Sequence, residues 1–311
     1  MTYNILILGC GNLGKRYLEG ILKSKLDLNI YLVEIDNKVR LDINKNLFEL
    51  RTKHKIHLHK TINDLKQKRF NILINTTTAS GRFELIEKCV FKFKIDNLVL
   101  EKILENNIDN LKKFEDLELK NCWVNTFLRS LKIFNQIKRK DHQYIKMKVI
   151  GGNWGLCCNS IHYIDLMSWL IDKIPTEILT NKLSEDFVNS KRKGYKEIYG
   201  KLKIKYDDLS ELELDCDNSS NELKINFESN IMKFDYNLIT GEFISEGQLD
   251  RYKIPFQSDM SKDLIENILI NHNCMLTPLK ESIELHDIFL SNMINFWNSV
   301  NSENLNFIPI T

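Results

Sequence analysis

The run Gly9-Cys10-Gly11-Asn12-Leu13-Gly14 lies between the apolar stretch Ile5-Leu6-Ile7-Leu8 and an amphipathic stretch from Leu13 to Leu22. Twenty residues past Gly14, at the end of Ile30-Tyr31-Leu32-Val33, stands Glu34. Strand, glycine turn, helix, second strand and acid in this order are what a βαβ dinucleotide fold requires. Gly9 allows the tight turn, Gly11 lets the backbone approach a pyrophosphate, and Gly14 lets helix and strand pack closely. The helix start at Asn12 and Leu13 offers free N–H groups and a positive dipole end to the phosphates. An acid at the end of the second strand bonds the ribose 2′-hydroxyl of NAD and repels the 2′-phosphate of NADP. Glu34 is the first candidate and Asp36 the second. Lys38 and Arg40 lie close enough to receive a phosphate, so NAD is favoured and NADP left open.

A chain of 311 residues is comfortable for two domains, and 43% hydrophobic content supports a well-buried core. The net charge of +2 is too balanced to point to nucleic acid or a membrane surface. No apolar run reaches the ~18 residues needed to span a bilayer. Seven cysteines without regular spacing, and no signal peptide ahead of the first strand, are read as reduced thiols in a cytoplasm. The basic segment from Arg51 to Lys60, with His54, His57 and His59, reads as a surface loop and short strand. No other ligands near it converge on a metal site, so none is expected.

Up to about residue 120, short apolar strands alternate with helical stretches, the pattern of a doubly wound parallel sheet. A helix is expected from Thr61 to Gln67, a strand over Asn71-Ile72-Leu73-Ile74, a helix from Arg82 to Lys88, a strand at Leu98-Val99-Leu100, a helix from Asn110 to Leu117 and a strand at Trp123-Val124. Ligands bind beyond the carboxyl ends of such strands, which singles out Asn75, Thr76, Glu101, Lys102 and Asn125. From Tyr144 the pattern becomes one of alternating strands, broken by a helix from Ile161 to Ile171. A last helix is expected to start at Thr277 (N-cap) and Pro278 (first turn). The fold class is thus an α/β Rossmann domain, residues 1–122, plus an α+β domain with a largely antiparallel open sheet, residues 123–311.

Two places carry candidate chemistry. Lys102, past the end of the strand at Leu98-Val99-Leu100, could hold a substrate oxygen and share its proton. In Cys157-Cys158-Asn159-Ser160-Ile161-His162-Tyr163-Ile164-Asp165, helical spacing puts Cys158, His162 and Asp165 on one face. There His162 reads either as an acid or base oriented by Asp165, or as a core histidine satisfied by it.

The whole order resembles the Gfo/Idh/MocA-type oxidoreductases, the family of glucose-fructose oxidoreductase and inositol dehydrogenase. The glycine turn matches. Asn75-Thr76-Thr77-Thr78 sits at the family's Thr-Pro loop, and Glu101-Lys102-Ile103 is similar to its Glu-Lys-Pro signature. Gly155 through Leu166 is similar to a segment ending in His-x-x-Asp, and Thr277 through Ile283 to its last helix start. The resemblance implies hydride exchange between nicotinamide and a carbon of a sugar, sugar acid or nucleotide sugar, with a role in surface-glycan synthesis among the options. It implies Lys102 and His162 as catalytic residues. Glu101 and Asn125 would serve the cofactor pocket, and Cys158, Asn159 and Asp165 the substrate. Arg129 would grip a substrate carboxylate or phosphate, or else be a plain helix-surface charge. A homodimer or homotetramer is the expected assembly.

Two departures stand out. Ile103 replaces proline, and Cys158 stands where many members carry an aspartate. A neutral thiol cannot act as that carboxylate does. The alternatives are therefore an NAD-binding regulatory protein with impaired catalysis, or an NAD-using epimerase, dehydratase or glycosidase without net redox.

Overall fold

The computed structural model describes residues 2–49, 52–117, 119–138, 140–219 and 222–311. Arg51, at the start of the basic segment, lies outside the described residues. In chain order the first elements are β1 (Thr2–Leu8), α1 (Asn12–Ile21), β2 (Asp27–Val33), α2 (Asn37–Glu49), β3 (Lys55–His59), β4 (Arg69–Phe70), β5 (Ile72–Asn75), α3 (Arg82–Lys92), β6 (Lys94–Ile95), β7 (Leu98–Leu100), α4 (Ile108–Lys113) and β8 (Cys122–Val124). Then come α5 (Lys132–Lys138), β9 (Ile145–Gly152), α6 (Leu156–Ile171), β10 (Glu177–Leu183), β11 (Val188–Asn189), β12 (Lys196–Glu197), β13 (Gly200–Lys205), β14 (Glu211–Asp217) and β15 (Leu223–Ser229). The last are β16 (Lys233–Asn237), β17 (Glu242–Ser245), β18 (Gln248–Arg251), α7 (Gln257–Asn271), β19 (Thr277–Pro278) and α8 (Leu279–Asn301).

The chain forms two compact units, one of Met1–Glu101, Asp116–Asn125 and Pro255–Leu279, the other of Lys102–Glu115, Thr126–Ile254 and Lys280–Thr311. Against a boundary after residue 122, residues 102–115 fall in the second unit and residues 123–125 and 255–279 in the first.

The first unit is built on a seven-stranded sheet of order β19-β8-β7-β5-β1-β2-β3, parallel except for β19. Its central strands are buried on both faces, with Ile5, Leu6, Ile7, Ile72, Leu73 and Ile74 wholly inaccessible. Continuous apolar runs rather than alternation are what such strands need. Helix α7 packs on α1, which the sequence pattern did not announce. Gly20 makes this approach feasible, because a Cβ there would lie 2.5 Å from the Ser258 carbonyl oxygen.

One expected helix is corrected. Between Thr61 and Gln67 only one 3₁₀ turn forms, at Ile62–Asp64. The Thr61–Asp64 capping box is present, with the Thr61 N–H donating to Asp64 Oδ2 at 2.8 Å. Beyond it only Leu65 is buried, so no apolar stripe extends the helix. Thr277 and Pro278, expected at the start of the last helix, lie directly before α8 and also pair with Val124 and Trp123 as the antiparallel edge of the sheet. An edge position suits proline, which has no N–H to donate.

The second unit is built on an eight-stranded sheet, β10-β13-β14-β9-β15-β16-β17-β18, antiparallel apart from the β9–β14 pair. Met147, Val149, Leu202, Ile204, Leu212, Leu214, Ile225 and Phe227 are its buried face, on which α6 lies. The opposite face carries ion pairs set by register, among them Lys148–Glu213 at 2.8 Å, Lys201–Asp215 at 2.8 Å and Lys203–Glu211 at 2.7 Å. Helix α6 begins at Leu156, five residues before the expected start.

Candidate functional site

In the first unit the glycine turn has the geometry its sequence implies. Gly9 adopts φ +81° and donates its N–H to the Val33 carbonyl at 2.9 Å. At Gly14 a Cβ would lie 2.1 Å from the Gly9 carbonyl oxygen, so only glycine lets α1 come this close. At Gly11 a Cβ would meet nothing within 4 Å, and Gly11 and Asn12 are exposed. Gly11 caps α1 without a side-chain bond, which leaves the first N–H groups of the helix to an external acceptor.

Glu34 is buried beside this turn. Its Oε2 accepts from the Cys10 N–H at 2.6 Å and its Oε1 from the Asp36 N–H at 2.8 Å. A carboxylate has lone pairs beyond these two, so Glu34 can still accept from a ribose hydroxyl. Asp36 is used otherwise: its Oδ1 accepts from the N–H groups of Lys38 at 2.7 Å and Val39 at 3.1 Å and so caps α2. Of the two acids, Glu34 is the buried one beside the turn, while Asp36 is exposed. The Arg40 guanidinium donates to the carbonyls of Glu34 and Ile35, each at 2.7 Å. A cleft of about 690 Å³ adjoins Gly9 and Glu34, with Ile35, Ile62, Leu85 and Phe91 as apolar wall.

Asn75 and Thr76 brace the turn from β5. Thr76 Oγ1 donates to the Gly9 carbonyl at 2.5 Å, and Asn75 Oδ1 accepts from the Thr77 N–H at 2.9 Å. Asn75 Nδ2 is buried and has no hydrogen-bond partner among the described residues. Arg82, fully buried and unanticipated, donates to the carbonyls of Glu101 and Thr77 and ties the ends of β5 and β7 together.

Glu101 and Asn125 meet in a buried network. Tyr17 Oη donates to Glu101 Oε1 at 2.7 Å, and Asn125 Nδ2 lies 2.7 Å from the same oxygen and 3.0 Å from Gln257 Oε1. Burial, with the Glu101 carboxylate adding to it, holds the Tyr17 phenol well above its ordinary range, so it stays a donor. Both expected cofactor residues therefore fix β7, β8, α1 and α7 to one another.

In the second unit, Lys102 and the start of α6 come together as the sequence suggested. The Lys102 ammonium donates to the Cys158 carbonyl at 2.9 Å, to Asn159 Oδ1 at 2.8 Å and to Cys158 Sγ at 3.2 Å. The Lys102–Ile103 peptide is cis. Two residues on, the Leu104 N–H donates to His286 Nε2 at 3.0 Å, and His286 Nδ1 lies 2.8 Å from the Ser282 carbonyl. His286 thus anchors the loop after Lys102. It sits on the apolar stripe Leu279, Ile283, Leu290 of α8, a signal the sequence did carry.

One helical turn after Cys158, His162 is buried, with its ring edge-on to Phe127 at 5.0 Å between centroids. Burial, then the charge of Lys102, then His286 push its pKa well below the ordinary 6.5, so the imidazole is neutral at pH 7. His162 Nδ1 has no partner among the described residues. Asp165 does not orient it. Arg129 is buried and closes on Asp165 with Nε to Oδ2 at 2.9 Å and Nη2 to Oδ1 at 2.6 Å, and on Glu281 through the Nη atoms. Arg129 and Asp165, both expected to touch substrate, instead form an internal ion pair.

The first turn of α6 has one partner that sequence reading missed. Glu197 in β12 accepts from the Cys157 N–H at 2.8 Å and the Cys158 N–H at 3.2 Å. Among the described residues no group of three or more His, Cys, Asp or Glu side chains could hold a metal ion, and no helix is long and apolar enough to cross a membrane.

No protein-family model matches this chain, and comparison with curated proteins gives no match. Solved structures do match over nearly the whole length. A Gfo/Idh/MocA family oxidoreductase from Vibrio cholerae superposes with TM-score 0.69 at 12% identity, over 96% of this chain and 99% of that one. Scyllo-inositol dehydrogenase from Lactobacillus casei, solved with NAD(H) and scyllo-inositol, gives 0.68 at 14% identity, over 94% and 96%. UDP-N-acetylglucosamine 3-dehydrogenase GnnA from Acidithiobacillus ferrooxidans gives 0.67 at 10% identity, over 97% and 99%. At these identities the likeness establishes the fold: a Rossmann unit and an open-sheet α+β unit, as in Gfo/Idh/MocA oxidoreductase chains.

Proposed function

We propose that the protein is an NAD-dependent oxidoreductase that moves a hydride between the nicotinamide and a carbinol carbon of a sugar, sugar acid or nucleotide sugar. The observation that carries this is Lys102. It is the chain neighbour of Glu101 beyond β7 of the dinucleotide sheet, and its ammonium is held at the first turn of the helix that carries the neutral His162.

The first unit fits the cofactor. The exposed turn at Gly11 and Asn12 suits a pyrophosphate, Glu34 has lone pairs for the ribose, and the apolar cleft suits an adenine. When bound, the cofactor supplies a hydride acceptor or donor at nicotinamide C4. In the oxidising direction, the Lys102 ammonium binds the reacting hydroxyl oxygen and stabilises its developing negative charge. Neutral His162 accepts the hydroxyl proton on a ring nitrogen. Of the three Lys102 bonds, that to Cys158 Sγ is the weakest and the one a substrate oxygen displaces.

The test is spectrophotometric. Full-length protein with NAD and a panel of polyols, sugars, uronates and nucleotide sugars should develop absorbance at the NADH band. Lys102→Ala should lower kcat by about 10²–10⁴-fold, as loss of a polarising or proton-sharing group does. No turnover across the panel, or an unaffected Lys102→Ala, defeats the proposal. The solved neighbours support the panel: one holds scyllo-inositol and another is named for UDP-N-acetylglucosamine. Precursors of surface glycans, a reducing cytoplasm that suits seven free thiols, and a homodimer or homotetramer complete the proposal. Light scattering tests the assembly.

One observation favours a second reading, a dinucleotide-binding regulatory protein. The three hydrogens of Lys102 face three acceptors of the chain itself. Calorimetric NAD binding without hydride transfer in the wild type or in Cys158→Asp would establish it.

A further inference from the structure

Position 158 places no carboxylate beside Lys102. The ammonium donates to the Cys158 carbonyl, Cys158 Sγ and Asn159 Oδ1. The carboxylate that bears on this place comes from a different element. Glu197 turns into the first turn of α6, where its Oε2 accepts from the Cys157 N–H and its Oε1 from the Cys158 N–H. Gly155, the N-cap of α6 at φ +78°, leaves the room for it, since a Cβ there would lie 3.0 Å from Glu197 Oε1. Cys158 therefore joins two charged groups: its N–H is held by Glu197 and its carbonyl holds Lys102.

We propose that Glu197 is a positioning residue for Lys102, supplying through the first turn of α6 the negative charge that keeps the ammonium aimed at the reacting oxygen. This rests on the reading of Lys102 as the residue that binds that oxygen. The carboxylate sits where its charge is contested. Burial pushes its pKa up to about 7, against the pull of the two N–H groups and of Lys102. The titratable groups facing it are Lys102, from the loop after β7, Cys157 from α6 and Cys216 from β14. Glu197 thus changes charge across neutral pH, and its ionised form is the one that supports Lys102.

Two measurements on the full-length protein test this. Infrared or ¹³C-carboxyl titration, with the Glu197 signal assigned by its absence in Glu197→Asp, should place its midpoint near 7. In Lys102→Met the midpoint should rise by about one pH unit, because an opposing charge is lost. An unmoved midpoint overturns the coupling. In steady-state kinetics with NAD, wild-type kcat/KM should climb as pH passes 7. In Glu197→Gln that climb should vanish and kcat/KM fall by about tenfold, the counterpart of one pKa unit, with NAD affinity unchanged. Glu197→Asp should keep the climb. A Glu197→Gln protein with the wild-type rate and pH profile overturns the proposal. If no substrate is turned over, the enzymatic reading fails, while the titration still decides whether the two residues are coupled.

Discussion

Arg129 faces Asp165 in a parallel, two-bond pair, with Nε–Oδ2 at 2.9 Å and Nη2–Oδ1 at 2.6 Å, and both side chains are buried. Its other nitrogen, Nη1, is 3.2 Å from Glu281 Oε2. A guanidinium used in this way has no free fork for a substrate carboxylate or phosphate. Removing one partner of a buried pair leaves an uncompensated charge, at a cost of about 3–5 kcal/mol. Arg129→Ala is therefore expected to lower stability by that order in denaturant unfolding, with KM changed far less than stability. An Arg129→Ala protein of wild-type stability and raised KM would restore the anion-binding role.

Glu34 is expected to act as the cofactor filter. Glu34→Gln keeps the size but presents one oxygen, not two, to the N–H groups of Cys10 and Asp36, and removes the charge that repels a 2′-phosphate. NAD affinity measured by calorimetry should weaken by about tenfold or more, the order of a hydrogen bond to a charged group. NADP affinity should rise relative to NAD. Wild-type protein that binds NADP more tightly than NAD would contradict this role.

Gly14 gives a steric prediction. In Gly14→Ala the new methyl would lie 2.1 Å from the Gly9 carbonyl and 2.9 Å from Thr76 Oγ1, so α1 must move away from β1. Overpacking of this kind costs about 1–3 kcal/mol. Because the movement displaces the N-terminus that faces the pyrophosphate, NAD binding should be lost before the fold is. A Gly14→Ala protein with wild-type NAD affinity would show that the close approach is not needed.

What the sequence revealed was mostly local. The glycine turn, β1, β2 and Glu34 lie within one βαβ stretch, where spacing alone sets geometry. Lys102 was legible because it follows a recognisable strand, whereas α6 begins five residues before the start its pattern suggests. Glu197 was not legible, since its bond to Cys157 spans 40 residues and β12 is only two residues long. Arg129 was misread for a similar reason: its partner Glu281 is 152 residues away. At Thr277 and Pro278 the local pattern gave the helix start but not the pairing with the open edge of β8, which joins residues over 150 positions apart.

The pH dependence of stability follows from His162. Its folded pKa lies well below the ordinary 6.5 because burial and the Lys102 charge oppose protonation. Between those two values the unfolded chain binds a proton that the folded protein does not, so protonation favours unfolding. The stability associated with neutral His162 is complete above pH 6.5 and is lost progressively as pH falls below it. Glu197, raised to about 7, has the opposite sign, its folded form gaining a proton before the unfolded chain does. The two must therefore be separated by substitution. His162→Gln removes the imidazole but keeps a neutral polar side chain. In urea unfolding at a series of pH values from 8 to 5, wild type should lose stability relative to His162→Gln only below about 6.5. Glu197→Gln should show the reverse slope relative to wild type. A difference between wild type and His162→Gln that is flat over this range would mean that His162 is protonated, or hydrated, within the fold and is not the neutral base proposed.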